Sequence, residues 1–326
     1  MKAAPRFFSV FFVSTLVGLL LYVPARIAVP WLAQSSCDTA GYRQHAFLSN
    51  CLNEYFGDYE HGAYYYQLEP EAIEALRKAE VLFLGNSRSQ FAFSSDVTAE
   101  FFAKQGIPYY LLGFAYVQTS EFPLRLIKRL ALHPKLLVIN ADPFFSHIFK
   151  GPAQQVVDGS ASARFDYTLK RWFQSIHPAL CRSLPRLCQP KQATIYRDMR
   201  DGRWLWLSTF SDDKSLPISE PIAIPQRLID DAISVGRDFI NQIGIDKACV
   251  VLTGIPTRVS SAEAATQIAQ ALGVKYIEPS LSGLATIDGE HLNVESANRW
   301  SRAFLPQLQD TIRHCLFPLA APDRAQ

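Results

Sequence analysis

Val81-Leu82-Phe83-Leu84-Gly85-Asn86-Ser87-Arg88-Ser89 decides how this chain is read. Four consecutive apolar residues that stop at a glycine have the length and bounds of a short strand buried on both faces. A serine directly beyond such a strand stands where the chain turns into a helix. The same alternation extends outward in both directions. An amphipathic helix over about 70–79 precedes the strand, and Ser95 and Asp96 can cap a helix that Gly106 stops. Pro108–Leu112 is the next strand, Glu121–Leu132 the next helix and Leu136–Ile139 a third strand. Much later come the strand Val250–Leu252, a helix over 261–272, the strand Val274–Ile277 and a closing helix over about 294–314. Short apolar strands separated by amphipathic helices predict an α/β domain with a parallel sheet covered on both faces. Ligands of such sheets bind beyond the carboxyl ends of the strands, so any chemistry belongs just after Leu84, Leu112, Ile139 and Leu252.

Residues 78–326 therefore form the main domain, interrupted at about 145–225 by an insertion that reads as largely helical and carries Trp204-Leu205-Trp206-Leu207. Residues 35–77, rich in Tyr, Asn and Gly, read as an irregular connector ending in the helix at 70–79. With 22 Phe, 13 Tyr and 5 Trp among 326 residues, the chain cannot be disordered in the main. Residues 1–34 begin with Lys2 and Arg6, followed by an uncharged apolar run of 17 residues from Phe7 to Val23. That length is at the short end for a membrane span, and the leading cations favour an N-inside orientation. A single uncleaved anchor fits better than a cleaved signal peptide, because Val23-Pro24-Ala25-Arg26 is a poor cleavage site. Either form exports the remainder to a periplasmic or extracellular compartment. Removing Lys2, Arg6 and Arg26 from the net charge of +2 leaves −1, which argues against nucleic acid as a partner.

Cysteine spacing agrees with export. Cys37 with Cys51, and Cys181 with Cys188, are near enough to close short loops in an oxidising compartment. Cys249 and Cys315 lie in strand-like and helix-like runs, where burial as free thiols fits as well as a bridge. No Cys/His spacing of a metal site and no phosphate-binding glycine loop occurs, so neither metal nor cofactor is expected.

Two segments carry chemistry. Ser87 follows the first strand, where helix-terminal N–H groups converge and can hold developing negative charge. Asp288-Gly289-Glu290-His291 stands before the last helix, and a carboxylate three residues ahead of a histidine can orient its ring through Nδ1. Gly85-Asn86-Ser87 and Asp288-x-x-His291, about 200 residues apart, together resemble the SGNH/GDSL hydrolase superfamily. The resemblance implies a three-layer α/β/α, flavodoxin-like fold. It makes Ser87 the nucleophile, His291 the general base and Asp288 its orienter. Gly113, after the second strand, matches the family's second oxyanion-hole block. The third block departs from the family: Ile139-Asn140-Ala141-Asp142-Pro143 puts Asp142 in register with the donor, and an ionised carboxylate there would repel an oxyanion. Either Asn140 donates instead, or the backbone N–H groups of Ser87 and Gly113 act alone. Pro256 belongs to a loop like the one that borders such pockets, and Arg88 would meet a substrate anion or pair with Glu121.

The anchor and the Gly-x-Ser-Arg block resemble the SGNH-like proteins of cell-envelope polysaccharide acylation. That likeness implies an esterase or O-acyltransferase acting on a polysaccharide or small acyl ester, with a membrane-bound acyl-donor protein as a partner. The alternative is an SGNH-like envelope protein that binds glycan or a partner without catalysis.

Overall fold

A computed structural model describes residues 12–18, 22, 37–52, 56–116, 118–159, 161–186, 188, 193–207, 215–218, 222–258 and 260–317. The strands in chain order begin with β1 (Ala46–Cys51), β2 (Gly57–Asp58), β3 (Val81–Asn86) and β4 (Tyr109–Phe114). They continue with β5 (Leu136–Asn140), β6 (Thr194–Asp198), β7 (Trp204–Leu207) and β8 (Leu216–Pro217). The last are β9 (Val250–Thr253), β10 (Lys275–Tyr276) and β11 (Ala285–Thr286).

Five of these form a parallel sheet in the order β10-β9-β5-β3-β4. Counted along the chain, that order is 2-1-3-4-5, so the winding reverses between β3 and β5. A doubly wound sheet opens its crevice at that reversal. Side chains alternate between two cores. Leu82, Leu84, Leu137 and Leu252 join helices Glu121–Leu130, Gln226–Ile243 and Ala262–Leu272 on one face. Val81, Phe83, Val138 and Val251 meet helices Asp96–Gln105 and Val294–Leu316 on the other. Helix ends are fixed locally: the Ser95 side chain accepts the Thr98 N–H at 3.1 Å, and Gly106 closes the same helix at φ +63°.

The segment before the domain is not an irregular connector. Its strand β1 lies in a second sheet, ordered β2-β1-β6-β7 and antiparallel throughout. The insertion, expected to be largely helical, supplies β6 and β7 besides helices Pro152–Val157 and Ala161–Ser183. The sequence hides β1 because five of its six residues are buried, leaving no polar alternation, and a bulge between Leu48 and Asn50 breaks its register with β6. Helix Gln226–Ile243, directly beyond the insertion, was not anticipated either.

One buried ion pair fastens the second sheet to the first. Glu60 and Arg197 are both wholly buried and meet at 3.0 Å. The Glu60 carboxylate also accepts hydrogen bonds from Ser49 Oγ at 2.9 Å, Ala115 N–H at 2.9 Å and Trp204 Nε1 at 3.2 Å. Arg197 in turn donates to the Gly113 carbonyl on the outer edge of β4. Further along that edge, the Leu111 N–H donates to the Asp201 carbonyl at 2.8 Å. An edge strand covered this way offers no free ladder to another chain.

Three disulfides are present: Cys37–Cys51, Cys181–Cys188 and Cys249–Cys315. The third replaces the pair of free thiols left open by the sequence. It joins the start of β9 to the end of the closing helix, which 66 residues of chain separate. Among the described residues no helix is long and apolar enough to cross a membrane. Most of the expected anchor at 1–34 lies outside the described residues.

Removing one partner of a buried pair leaves an uncompensated charge, at a cost of about 3–5 kcal/mol. Arg197→Met is therefore expected to lower unfolding stability by that amount in urea titrations. The double variant Glu60→Gln/Arg197→Met is expected to lose less. Equal losses in the two would show that the pair's charges are not what holds the sheets together.

Candidate active site

Ser87 owes its position to two glycines. Gly85 and Gly113 are register partners across β3 and β4, and a Cβ on either would come within 2.6 Å and 2.7 Å, respectively, of Ser89 Oγ. Helix Ser87–Phe93 can thus lie flush on the ends of both strands. Asn86 caps it: its side chain accepts the Arg88 N–H at 2.9 Å and donates to the Asp142 carbonyl at 2.7 Å. That second bond ties the turn after β3 to the loop after β5. Ser89 closes the arrangement by donating to the Asn86 carbonyl at 2.7 Å. Ser87 is the first residue of the helix and half-buried.

His291 arrives from the other end of the chain on a tight turn. The Ile287 N–H donates to the His291 carbonyl at 2.9 Å, and Gly289 takes φ +92°, a left-handed value suited to glycine. Asp288 organises this turn with both carboxylate oxygens. Oδ1 accepts the N–H groups of Glu290 and His291 at 3.0 Å and 2.9 Å, and Oδ2 lies 2.7 Å from His291 Nδ1. Burial alone would raise the Asp288 carboxyl, but the ring hydrogen bond, the imidazole charge and the two backbone N–H groups bring it down to about 2. An ionised Asp288 can only accept, so the Nδ1 of a neutral His291 carries the proton and Nε2 presents a lone pair. That lone pair faces Ser87 Oγ at 2.8 Å, across 204 residues of sequence.

The sequence did not disclose what backs the base. The Phe91 ring lies 4.4 Å from the His291 ring, and Trp204 packs edge-on against Phe91 at 5.8 Å. Trp204 comes from the insertion and is the residue held by Glu60. Arg88 pairs with Glu290 at 3.3 Å and not with Glu121, which takes Arg125 at 2.6 Å. The reason is proximity, since Glu290 adjoins His291 on the turn that meets Ser87.

The remaining expected site residues are placed as follows. Gly113 lies inside β4, and its carbonyl receives Gln90 Nε2 at 3.0 Å and the Arg197 guanidinium on the outer edge. Its N–H leaves the strand on that same side, away from β3. Its visible need for glycine is room for Ser89. Asn140 ends β5 as the register partner of Thr253, almost wholly buried, and neither amide atom has a partner among the described residues. Asp142 accepts from Asn86 through its carbonyl. Burial, reinforced by the charge of Glu278 and opposed by Arg88 and the Ser261 N–H, pushes its carboxyl up to about 7. The conflict expected between Asp142 and an oxyanion is thereby removed below that pH. Glu278, also pushed up to about 7 by burial, receives a hydrogen bond from the Tyr276 hydroxyl. Pro256 is half-buried in the loop after β9.

Among the described residues two clusters have the composition of a metal site, and in each of them donor atoms are already engaged. His177, Cys181 and Cys188 lie close together, but both cysteines are spent in a disulfide. In the buried cluster Asp58–Glu60–His61, His61 Nδ1 meets Asp58 at 2.8 Å and Nε2 meets Gln118 at 3.0 Å, while Glu60 serves Arg197. Comparison of the chain with protein-family models, curated proteins and solved structures finds no match.

Two outcomes follow. A Cβ at position 113 would stand 2.8 Å from the Asn86 carbonyl oxygen, a backbone atom that can yield only if the turn moves. Gly113→Ala is expected to cost ~1–3 kcal/mol by chemical denaturation; unchanged stability would show that the turn yields freely. The second concerns pH. Folded Asp142 and Glu278 keep their protons to about 7, whereas the unfolded chain releases them near the usual carboxylate value of about 4. Their contribution to stability is therefore lost as pH rises through that window. The double variant Asp142→Asn/Glu278→Gln should gain in Tm over wild type more at about pH 8 than at about pH 5. The same gain at both would overturn the assignment.

Proposed function

We propose that this chain is a serine acyl-transfer enzyme of the SGNH type, working on esters of cell-envelope or extracellular polysaccharide. The single observation carrying the proposal is the 2.8 Å contact between His291 Nε2 and Ser87 Oγ, with Asp288 on the far side of the ring. Two further facts support it. Ser87 stands beyond the first strand of a 2-1-3-4-5 sheet, the flavodoxin-like order, and at its reversal point. The Asp288-x-x-His291 turn runs into the last helix, the arrangement that the SGNH resemblance implies.

In this proposal His291 takes the Ser87 hydroxyl proton as Oγ forms a bond to the ester carbonyl carbon. Asp288 stabilises the imidazolium formed. The oxyanion is held by the N–H of Ser87 at the start of its helix and by the buried amide of Asn140. Collapse breaks the bond to the alcohol, which leaves with the proton from His291, and an acyl-enzyme remains. Water completes an esterase cycle; a sugar hydroxyl completes an O-acyltransferase cycle. The three disulfides support an oxidising compartment, and the cationic, apolar start of the sequence supports an anchored, exported protein. A membrane-bound acyl donor would suit that location.

The test is turnover of p-nitrophenyl acetate with and without an acceptor glycan, alongside labelling by a fluorophosphonate. Ser87→Ala is expected to abolish labelling, and Asp288→Asn to lower kcat by about 10²–10⁴. Acetyl transfer to glycan that outpaces acetate release identifies a transferase. Folded wild-type protein that neither labels nor releases acetate, yet binds polysaccharide, would make it a non-catalytic glycan-binding protein.

A further inference from the structure

We infer that the crevice beside Ser87 binds the aliphatic tail of an acyl group, so that the preferred esters carry a chain longer than acetyl. The inference rests on the serine acyl-transfer reading and adds the acyl class to it. A cavity of about 500 Å³ lies between helix Gln226–Ile243, helix Ala262–Leu272 and the loop that follows β5. That volume falls within the ~300–1,000 Å³ of small-molecule sites.

Its walls and mouth differ in chemistry. Every buried residue that lines it is apolar, Phe145, Ile229, Ala232, Ala265 and Ile268 among them, whereas its polar lining, Arg88, Asp142, Ser146, His147 and Asp231, is half-buried or exposed. Of these, Arg88 and Asp142 are tied to the nucleophile's own turn. Arg88 follows Ser87 in sequence, and Asn86, which precedes it, holds the Asp142 carbonyl at 2.7 Å. Arg88 also reaches across to Glu290, the neighbour of the base, at 3.3 Å. Through Arg88 and Asp142 the cavity adjoins the turn that bears Ser87, and it lies on the face of the sheet that carries Leu84 and Ile139. Sugar hydroxyls among the buried apolar walls would lose their water without gaining partners. A methylene chain loses nothing against those buried walls, and Asp231, which also lines the cavity, is exposed to water. A ligand with its carbonyl at Ser87 and its tail in the cavity satisfies both environments.

The experiment measures kcat/KM on p-nitrophenyl esters from acetate to decanoate with the full chain in detergent. Ala232→Phe narrows the cavity, and Leu228→Asp places a charge on its half-exposed wall. Wild type is expected to gain about fourfold per added methylene until the cavity is full, the equivalent of ~0.8 kcal/mol each. Both variants should flatten the octanoate-to-acetate ratio, a quantity that does not depend on how much protein is folded. A wild-type protein that turns over acetate with no gain from longer chains would overturn the acyl-tail site and leave the serine mechanism standing. Calorimetry of sodium octanoate with Ser87→Ala tests the site without turnover. Binding that Ala232→Phe abolishes supports the tail site even where no ester is cleaved, and no binding overturns it.

Discussion

The site depends on a steric fact before an electrostatic one: two neighbouring strands lack a side chain at the same level. Gly85 and Gly113 face each other across β3 and β4, and the Ser89 side chain fills the space where their Cβ atoms would stand. Helix Ser87–Phe93 can therefore begin immediately at the strand end, with Ser87 on the rim. A hydroxyl two residues further along the helix would have met the core, as Ser89 does, with its hydrogen bond spent on the Asn86 carbonyl. Reach follows from that geometry, because a turn as short as Ile287–His291 meets Ser87 only if the hydroxyl stands at the rim.

Around this rim the protein spends buried polarity to fix orientation. Glu60 contacts the first strand of the second sheet, the loop after β4 and an insertion tryptophan, so three distant segments share one carboxylate. Trp204 then supports Phe91, and Phe91 supports the His291 ring. The insertion is thus part of what sets the angle of the imidazole. Isolated charges could not be kept at this depth; Glu60 and Arg197 persist there because each is paired and hydrogen-bonded.

Most of the parallel sheet was legible in the sequence, for a physical reason. Runs such as Leu136–Ile139 are buried on both faces and read as unbroken apolar strings, and the bounding caps at Ser95 and Gly106 act within a few residues. Asp288 and His291 were legible because their contact is local, and Ser87 because the strand before it is. Strand β1 was not, since its partner β6 lies about 150 residues away and its burial erases the alternation that marks an edge. The Cys249–Cys315 bridge was hidden for the same reason: only the finished fold brings the closing helix back to the start of β9. The standing of Asp142 was beyond reach as well, because a carboxyl's charge depends on burial and on neighbours such as Glu278, neither of which spacing reveals.

The four-residue pattern by itself does not separate the two Asp-x-Glu-His runs of this chain; only position along the chain does so in the sequence. Asp58–His61 repeats the order of Asp288–His291, and in each the aspartate holds Nδ1, at 2.8 Å and 2.7 Å. What differs is the other nitrogen. His61 is buried between Phe114 and Phe122 and spends Nε2 on Gln118 at 3.0 Å, so its proton has nowhere to go. His291 keeps Nε2 for a serine hydroxyl on a half-exposed rim. The same four-residue device is a strut in one environment and a proton acceptor in the other. The choice is made by what stands opposite Nε2, and therefore by the strand-end glycines that let Ser87 stand there.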